Sequence, residues 1–350
     1  MGSEAKLLGD ASPRGEWRPF GAMSMMPSAI ENGRSAVAAT YAEGPTDMLH
    51  EASALRPEEL SAVRWRYTTG TFQALGYSFA VRSTHEGIGR FVGEMYGPCI
   101  APHARPTTWY SIVDGLPGEW PHALYVGSDR ASQGVHATQV LNYLTWHVNQ
   151  QVVARSGDLV LLHAAAAALD DVGVILPAAM ESGKTTLVAG LVKAGFRYLT
   201  DEAAAIHPES LRLHPYPKPL SIDPGSWSVL GDLEPHVDAS TAAYLEEQWQ
   251  VTPQRIRPNA ISGPVDAALV VFPRYEQGVE TVLEPLRRSE AMLVMLEQTF
   301  SFHVAGRRNL LALARFLDGV NCYRLVTGDL DEACGALLRL AEAVRSDRER

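Results

Sequence analysis

Cysteine is scarce in this sequence, and its three copies, Cys99, Cys322 and Cys334, lie far apart. An odd number without a Cys-x-x-Cys pair predicts neither a disulfide framework nor a zinc knuckle, and it fits a reducing compartment. Lysine is also scarce, and the formal net charge is -10 over 350 residues. Because a nucleic-acid partner requires a basic face, this balance argues against one.

Long apolar runs are lacking as well. No stretch reaches the roughly 18 consecutive apolar residues that a membrane span requires. The first residues, "MGSEAK", are not followed by the apolar segment of a signal peptide. We therefore expect a cytoplasmic protein with no membrane partner. Hydrophobic residues make up 46% of the chain, which is enough for an ordinary globular core, and the length fits two domains.

The amino-acid composition of the first half of the chain changes near residue 60. Residues 1–58 are rich in Ser, Pro, Gly, Ala and Met, which predicts a disordered or loosely attached arm. Residues 62–155 contain short aromatic and β-branched runs such as "TTWYSIVDG" and "HALYVGSD", typical of a small β-rich domain. This domain ends in a predicted helix that bridges to the next one, with one apolar face formed by Val140, Leu141, Leu144, Val148 and Val152.

The second predicted domain covers residues 156–345. Two apolar runs, "DLVLLHAAAAAL" and "DVGVILPA", predict buried strands, and "TTLVAGLVKAG" predicts a helix that stops at Gly195. Residues 233–260 are polar and poorly patterned, so a surface excursion is expected there. Strands and helices then alternate without strict βαβ order, which predicts a mixed α/β (α+β) fold class.

A phosphate-binding loop is predicted between the second strand and the helix. The usual pattern is G-x-x-x-x-G-K-[ST]; here Gly183 permits the tight turn, Lys184 supplies the charge and Thr185 the hydroxyl for Mg²⁺. The flanking strand and helix are the context that this motif needs. The residues predicted to bind a nucleotide are Ala179, Met180, Glu181, Ser182, Gly183, Lys184, Thr185 and Thr186.

The first half of this loop departs from the pattern. Ala178 replaces the first glycine, and Glu181 stands where many such loops have a small residue. If position 181 needs a positive φ, glutamate is costly there, and its carboxylate repels phosphate unless it turns outward. The alternative is therefore a degenerate loop that no longer turns nucleotide over.

Three further features accompany the loop. Asp201 and Glu202 follow the predicted strand "FRYLT", where one carboxylate can accept a hydroxyl proton and the other can help to hold Mg²⁺. His163 is the only polar residue in its apolar run, and it is either a satisfied core histidine or a residue near the phosphates. Lys218, between two prolines, and Arg274, after the strand "ALVVF", are candidate phosphate or substrate ligands, although each is as easily an exposed surface cation.

These residues together resemble the catalytic core of the HPr kinase/phosphorylase superfamily. More closely, they resemble HPr-kinase-related proteins encoded beside peptide-modification genes. The match lies in His163-Ala164, the loop 177–186, Gly195 and Asp201-Glu202; it is specific over 160–206 and suggestive over 207–340. The resemblance implies a core like that of phosphoenolpyruvate carboxykinase, the cofactors ATP and Mg²⁺, and a possible homo-oligomer.

The resemblance also implies roles for single residues. Asp201 would be the base that deprotonates an acceptor serine, Lys184 would contact the phosphates, Thr185 and Glu202 would hold magnesium, and His163 would lie in the active site. Two departures stand out: the second acidic residue is glutamate, and the signature that contacts HPr itself is not visible. The expected acceptor is therefore another protein or a ribosomally made peptide.

The sequence thus favours an ATP-dependent serine kinase. The alternative is a nucleotide-binding but catalytically weak partner protein in a peptide-modification complex, which the altered loop favours. A third hypothesis is a carboxykinase-like enzyme that acts on a small acid. The sequence shows no metal-binding set of His, Lys and Asp, which argues against it. Nothing in the sequence distinguishes ATP from GTP or pyrophosphate.

Overall fold

The structure is a computed structural model that describes residues 57–115, 122–134, 136–179, 182–300 and 302–350. The predicted arm 1–58 lies almost entirely outside these ranges. The described residues form a mixed α/β fold with several sheets and ten α-helices. Every helix within them is too short or too polar to cross a membrane.

The first sheet has six strands. They are β1 (Tyr67–Thr68), β2 (Phe72–Ala74), β3 (Tyr77–Ser83), β4 (Thr108–Asp114), β5 (His122–Val126) and β6 (Asp129–Gly134). Their order is β1-β3-β4-β5-β6, with β2 paired to β3. Three helices accompany this sheet: α1 (Pro57–Ala62), α2 (Glu86–Met95) and α3 (Ala137–Arg155).

Helix α2 was not anticipated in a region predicted to be β-rich. It connects β3 to β4, which pair in parallel, and a parallel pair requires a crossover segment. Its buried residues have helical spacing, with Ile88, Phe91, Val92 and Met95 on one face. The helical spacing was therefore present in the sequence, although the three glycines of this segment weaken the prediction of a helix.

The second sheet has eight strands. They are β7 (Val160–Leu169), β8 (Val172–Pro177), β9 (Arg197–Thr200), β10 (Ala203–Ile206), β11 (Arg212–His214), β14 (Val265–Tyr275), β15 (Val282–Pro285) and β16 (Asn321–Thr327). The order is β11-β10-β7-β8-β14-β16-β15, with β9 paired to β7, and β14 runs parallel to β8 and β16. The two remaining strands, β12 (Leu220–Ile222) and β13 (Trp249–Val251), form a separate ribbon.

Seven helices accompany this part of the chain. They are α4 (Lys184–Lys193), α5 (Pro224–Trp227), α6 (Ala239–Ala242), α7 (Pro253–Ile256), α8 (Arg288–Glu297), α9 (Phe302–Asp318) and α10 (Leu330–Arg348). The alanines of β7 allow helices to approach both faces of the sheet. Ala165 and Ala167 lie in the core with residues of α4 and α10, whereas Ala164 and Ala166 lie in the core with residues of α8 and α9. The loop before α4 is therefore held by a buried framework.

A third core cluster joins the two sheets. Tyr216, Tyr244 and Phe300 pack in the same cluster as Phe79 of β3 and Leu144 of α3. The two parts of the chain therefore share apolar surface, and the division into domains at residue 155 stays a prediction. The three cysteines are buried and free, and burial raises the pKa of the Cys99 thiol to about 12.

Residues 233–260 are not the surface excursion that the sequence suggested. Their apolar side chains enter the core, and β13 pairs with β12. The buried members are Leu233, Tyr244, Leu245, Trp249, Val251 and Ala260. Because these residues come from short pieces with turns between them, the segment has no periodicity by which a helix or strand could be recognised.

Candidate active site

The predicted loop lies between β8, which ends at Pro177, and α4, which begins at Lys184. Gly183 occupies the N-cap position of α4 with φ +83 and ψ 13, a left-handed conformation that favours glycine. Ala178 is fully buried and does not have a positive φ, so alanine in place of the first glycine causes no backbone strain. Met180 and Glu181 lie outside the described residues.

Replacement of Gly183 by alanine is expected to lower the free energy of unfolding by about 1–2 kcal/mol. Among the described residues, a Cβ at this position would meet no atom within 4 Å, so the expected cost comes from the left-handed backbone. Denaturant unfolding measures the change. Gly231→Ala is the matched control, because its Cβ also meets open space and its φ is not positive. Equal stability of the two variants would contradict the assigned backbone conformation.

Lys184 reaches back into the loop. Its ammonium donates to the carbonyl oxygens of Ala178 at 2.9 Å and Ala179 at 2.5 Å, and only 6% of the residue is exposed. Burial lowers the pKa of Lys184 to about 8, and the Asp201 carboxylate acts in the opposite direction. The positive charge therefore lies beside the N-terminus of α4, where backbone N–H groups and the helix dipole also favour an anion.

Asp201 is the centre of the site. Its Oδ1 accepts from the Tyr198 hydroxyl and the Lys218 ammonium, both at 2.8 Å. Its Oδ2 accepts from the Thr185 hydroxyl at 3.2 Å and from the Ser221 backbone N–H at 3.4 Å. Only 2% of Asp201 and 3% of Lys218 is exposed, so this ion pair is buried.

The turn after β9 separates the two acidic side chains. The Thr200 hydroxyl accepts from the backbone N–H groups of Glu202 and Ala203, both at 3.2 Å. Within this turn, Asp201 faces Thr185 while Glu202 faces His163. The acidic pair therefore supplies two sides of the site rather than one chelating pair.

Glu202 and His163 form the second half of the site. His163 Nδ1 lies 3.4 Å from Glu202 Oε1, and β10 pairs with β7 so that Ala203 is opposite His163. Burial lowers the pKa of His163 to about 3, and the charges of Lys184 and Lys218 add to this effect. The imidazole is therefore neutral at neutral pH. Burial raises the pKa of Glu202, whereas the Lys218 charge opposes that shift.

Lys218 and Arg274 were both predicted as candidate phosphate or substrate ligands, but the structure brings only Lys218 to this site. Lys218 contacts Asp201, whereas the Arg274 guanidinium is exposed and pairs with Glu276 at 2.5 Å. Tyr198 and Ser221 belong to the site but were not predicted. Tyr198 lies in the strand before Asp201 and Ser221 in the ribbon strand β12, and neither position has a local motif that marks it.

The donor set at Asp201 fits a magnesium ion that is shared with a nucleotide. Among the described residues, no group of three or more His, Cys, Asp or Glu side chains could hold a metal by itself. Mg²⁺ in phosphate-loop sites needs only one or two protein oxygens, because phosphates and water complete its shell. The Thr185 hydroxyl and the Asp201 carboxylate are such oxygens at the N-terminus of α4, while Glu202 is directed to His163.

Comparison with known proteins adds no identification. No family model and no curated protein matches this chain. The resemblance to the HPr kinase/phosphorylase superfamily therefore stays a prediction based on residues 160–206.

Proposed function

We propose that this chain is an ATP-dependent kinase that transfers a phosphoryl group to a hydroxyl, in particular a serine of a peptide or protein. One observation carries the proposal: the Thr185 hydroxyl donates to Asp201, which joins the start of the loop helix to the acidic end of β9. Lys218 contacts the same carboxylate, and Lys184, the residue before Thr185, contacts the loop carbonyl of Ala178. A core related to HPr kinase and phosphoenolpyruvate carboxykinase is proposed with it.

In this proposal, the loop binds the triphosphate and orients it. Lys184 exchanges its bonds to loop carbonyls for the β- and γ-phosphate oxygens, and the first N–H groups of α4 donate to the same anion. Thr185 and Asp201 would hold Mg²⁺, which neutralises charge on the phosphates. Lys218 pairs with Asp201 and fixes the position of its carboxylate.

The base is one of the two adjacent carboxylates. The family resemblance implies Asp201, but that carboxylate already accepts four hydrogen bonds and is almost completely buried. The Glu202 side chain is 22% exposed, and burial raises its pKa, which suits a group that must take up a proton. We therefore assign the base to Glu202, whereas Asp201 would hold Mg²⁺ together with Thr185. Glu202 takes the serine proton as the serine oxygen bonds to the γ-phosphorus, and ADP leaves.

The test compares Glu202→Gln with Asp201→Asn. ATP binding is measured by calorimetry and ADP formation by a coupled assay, with Mg²⁺ and a mixture of serine-containing peptides. Glu202→Gln is expected to keep ATP affinity within about threefold and to lower ADP formation at least about 100-fold, the usual contribution of a general base. Exposed Glu280→Gln is the matched control and should leave both quantities unchanged.

Other outcomes separate the alternatives. Normal turnover by Glu202→Gln together with inactive Asp201→Asn would return the base role to Asp201. ATP binding without turnover by the unaltered chain would support the partner-protein alternative, which the bonds from Lys184 to its own loop favour. If the unaltered chain binds no nucleotide, the kinase proposal is wrong.

A further inference from the structure

A short segment that runs from β12 through α5, residues 221–227, forms one rim of the proposed phosphate site. At one end, the Ser221 N–H donates to Asp201; at the other, the Ser226 and Thr186 hydroxyls are 2.6 Å apart. Thr186 is in the first turn of α4, next to Thr185. A nucleoside attached to a triphosphate at the N-terminus of this helix can extend past the first turn, where Ser226 contacts Thr186. The segment 221–227 is therefore placed on a path that a nucleoside can follow.

Trp227 is the aromatic side chain of this rim. Its ring is stacked on Trp249, with ring centroids 4.7 Å apart and planes only 6° from parallel. Its Nε1 donates to the Ile222 carbonyl oxygen at 3.1 Å. Trp249 is buried and Trp227 is half-buried. One ring face is thus backed by the core, and the ring orientation is fixed by two contacts without any ligand.

We infer that Trp227 is the platform on which the base of the nucleotide stacks, an inference that rests on the proposed nucleotide site. A partly exposed ring held in one orientation loses little conformational freedom when a base covers it. Every nucleobase has a π-face, so stacking tolerates different bases. Trp227 therefore selects a nucleoside triphosphate over a bare polyphosphate, and it does not choose between adenine and guanine.

Binding of three ligands tests this inference: Mg-ATP, Mg-GTP and Mg-tripolyphosphate. The unaltered chain is expected to bind ATP and GTP with similar affinity, each about tenfold more tightly than tripolyphosphate, a factor within the range of base–aromatic stacking. Trp227→Leu is expected to remove this difference and to leave tripolyphosphate affinity unchanged. Trp227→Phe, which keeps an aromatic face, should retain most of the affinity difference between the nucleotides and tripolyphosphate. Calorimetry gives all affinities, and tripolyphosphate binding shows that each variant keeps its loop folded.

The outcomes distinguish this inference from the proposed function. If the unaltered chain binds none of the three ligands, the nucleotide site itself is wrong. If it binds tripolyphosphate as tightly as ATP, the phosphate site is supported but the inference about Trp227 is wrong. The unaltered chain alone gives this result. Equal losses for ATP and tripolyphosphate in a folded Trp227→Leu variant would also overturn it, because the ring would then serve only the core.

Discussion

Replacement of Lys184 by methionine is expected to lower Mg-ATP affinity at least about 100-fold and to abolish measurable ADP formation. Lys184 is the first residue of α4 and its ammonium lies on the loop carbonyls, and charge-assisted bonds to phosphate are worth about 1.5–3 kcal/mol each. Methionine is similar in length and apolar, so it suits a position of which only 6% is exposed. Stability should therefore change much less than binding.

Lys193→Met is the matched control for this prediction. Lys193 is at the other end of the same helix and makes a partly exposed pair with Asp232. Its replacement removes the same charge from the chain but leaves the loop intact, so ATP affinity should stay within about twofold. Calorimetric titration of both variants with Mg-ATP makes the comparison. Equal loss in the two variants would show a general charge effect and would remove the assigned role of Lys184.

The second large effect is expected from Asp201→Ala, which should lower the free energy of unfolding by about 3–5 kcal/mol. The substitution leaves the Lys218 ammonium buried without its carboxylate, and an uncompensated buried charge is costly. The Tyr198 hydroxyl also loses its acceptor. Urea unfolding, followed by its midpoint and slope, measures the change.

Two further variants test whether this loss of stability comes from the unpaired buried charge. The double variant Asp201→Leu with Lys218→Met removes both charges, so it should recover most of the lost stability while ADP formation stays abolished. Arg274→Ala breaks an exposed pair and should cost less than about 1 kcal/mol. If Asp201→Ala cost no more than Arg274→Ala, Asp201 and Lys218 would not form a buried pair.

The local structure around the loop followed from the sequence. Strand β8, helix α4 and strand β9 were predicted near their observed positions, because unbroken apolar runs and helical spacing are properties of adjacent residues. Helix α2 and the buried segment 233–260 were not predicted. In both, the apolar residues are separated by glycines or turns, so their burial depends on partners that are distant in the chain.

The same distinction applies to the cations of the site. The chain has only four lysines, Lys6, Lys184, Lys193 and Lys218, and the loop pattern alone identified Lys184. Lys218 and Arg274 were equal candidates by sequence. The structure separates them, since Lys218 is buried against Asp201 and Arg274 is exposed beside Glu276.

The sequence by itself determined the local character of the loop: a glycine that accepts a positive φ, followed directly by a lysine and a threonine, the residue types that phosphate-binding loops use for phosphate and metal. Only the tertiary structure decided which distant groups complete the site. Strand pairing brought Glu202 to His163, and the turn after β9 directed Asp201 to Thr185 and Lys218. The reason is that local conformation depends on neighbouring residues, whereas contacts between remote residues depend on how strands pair and how the core packs.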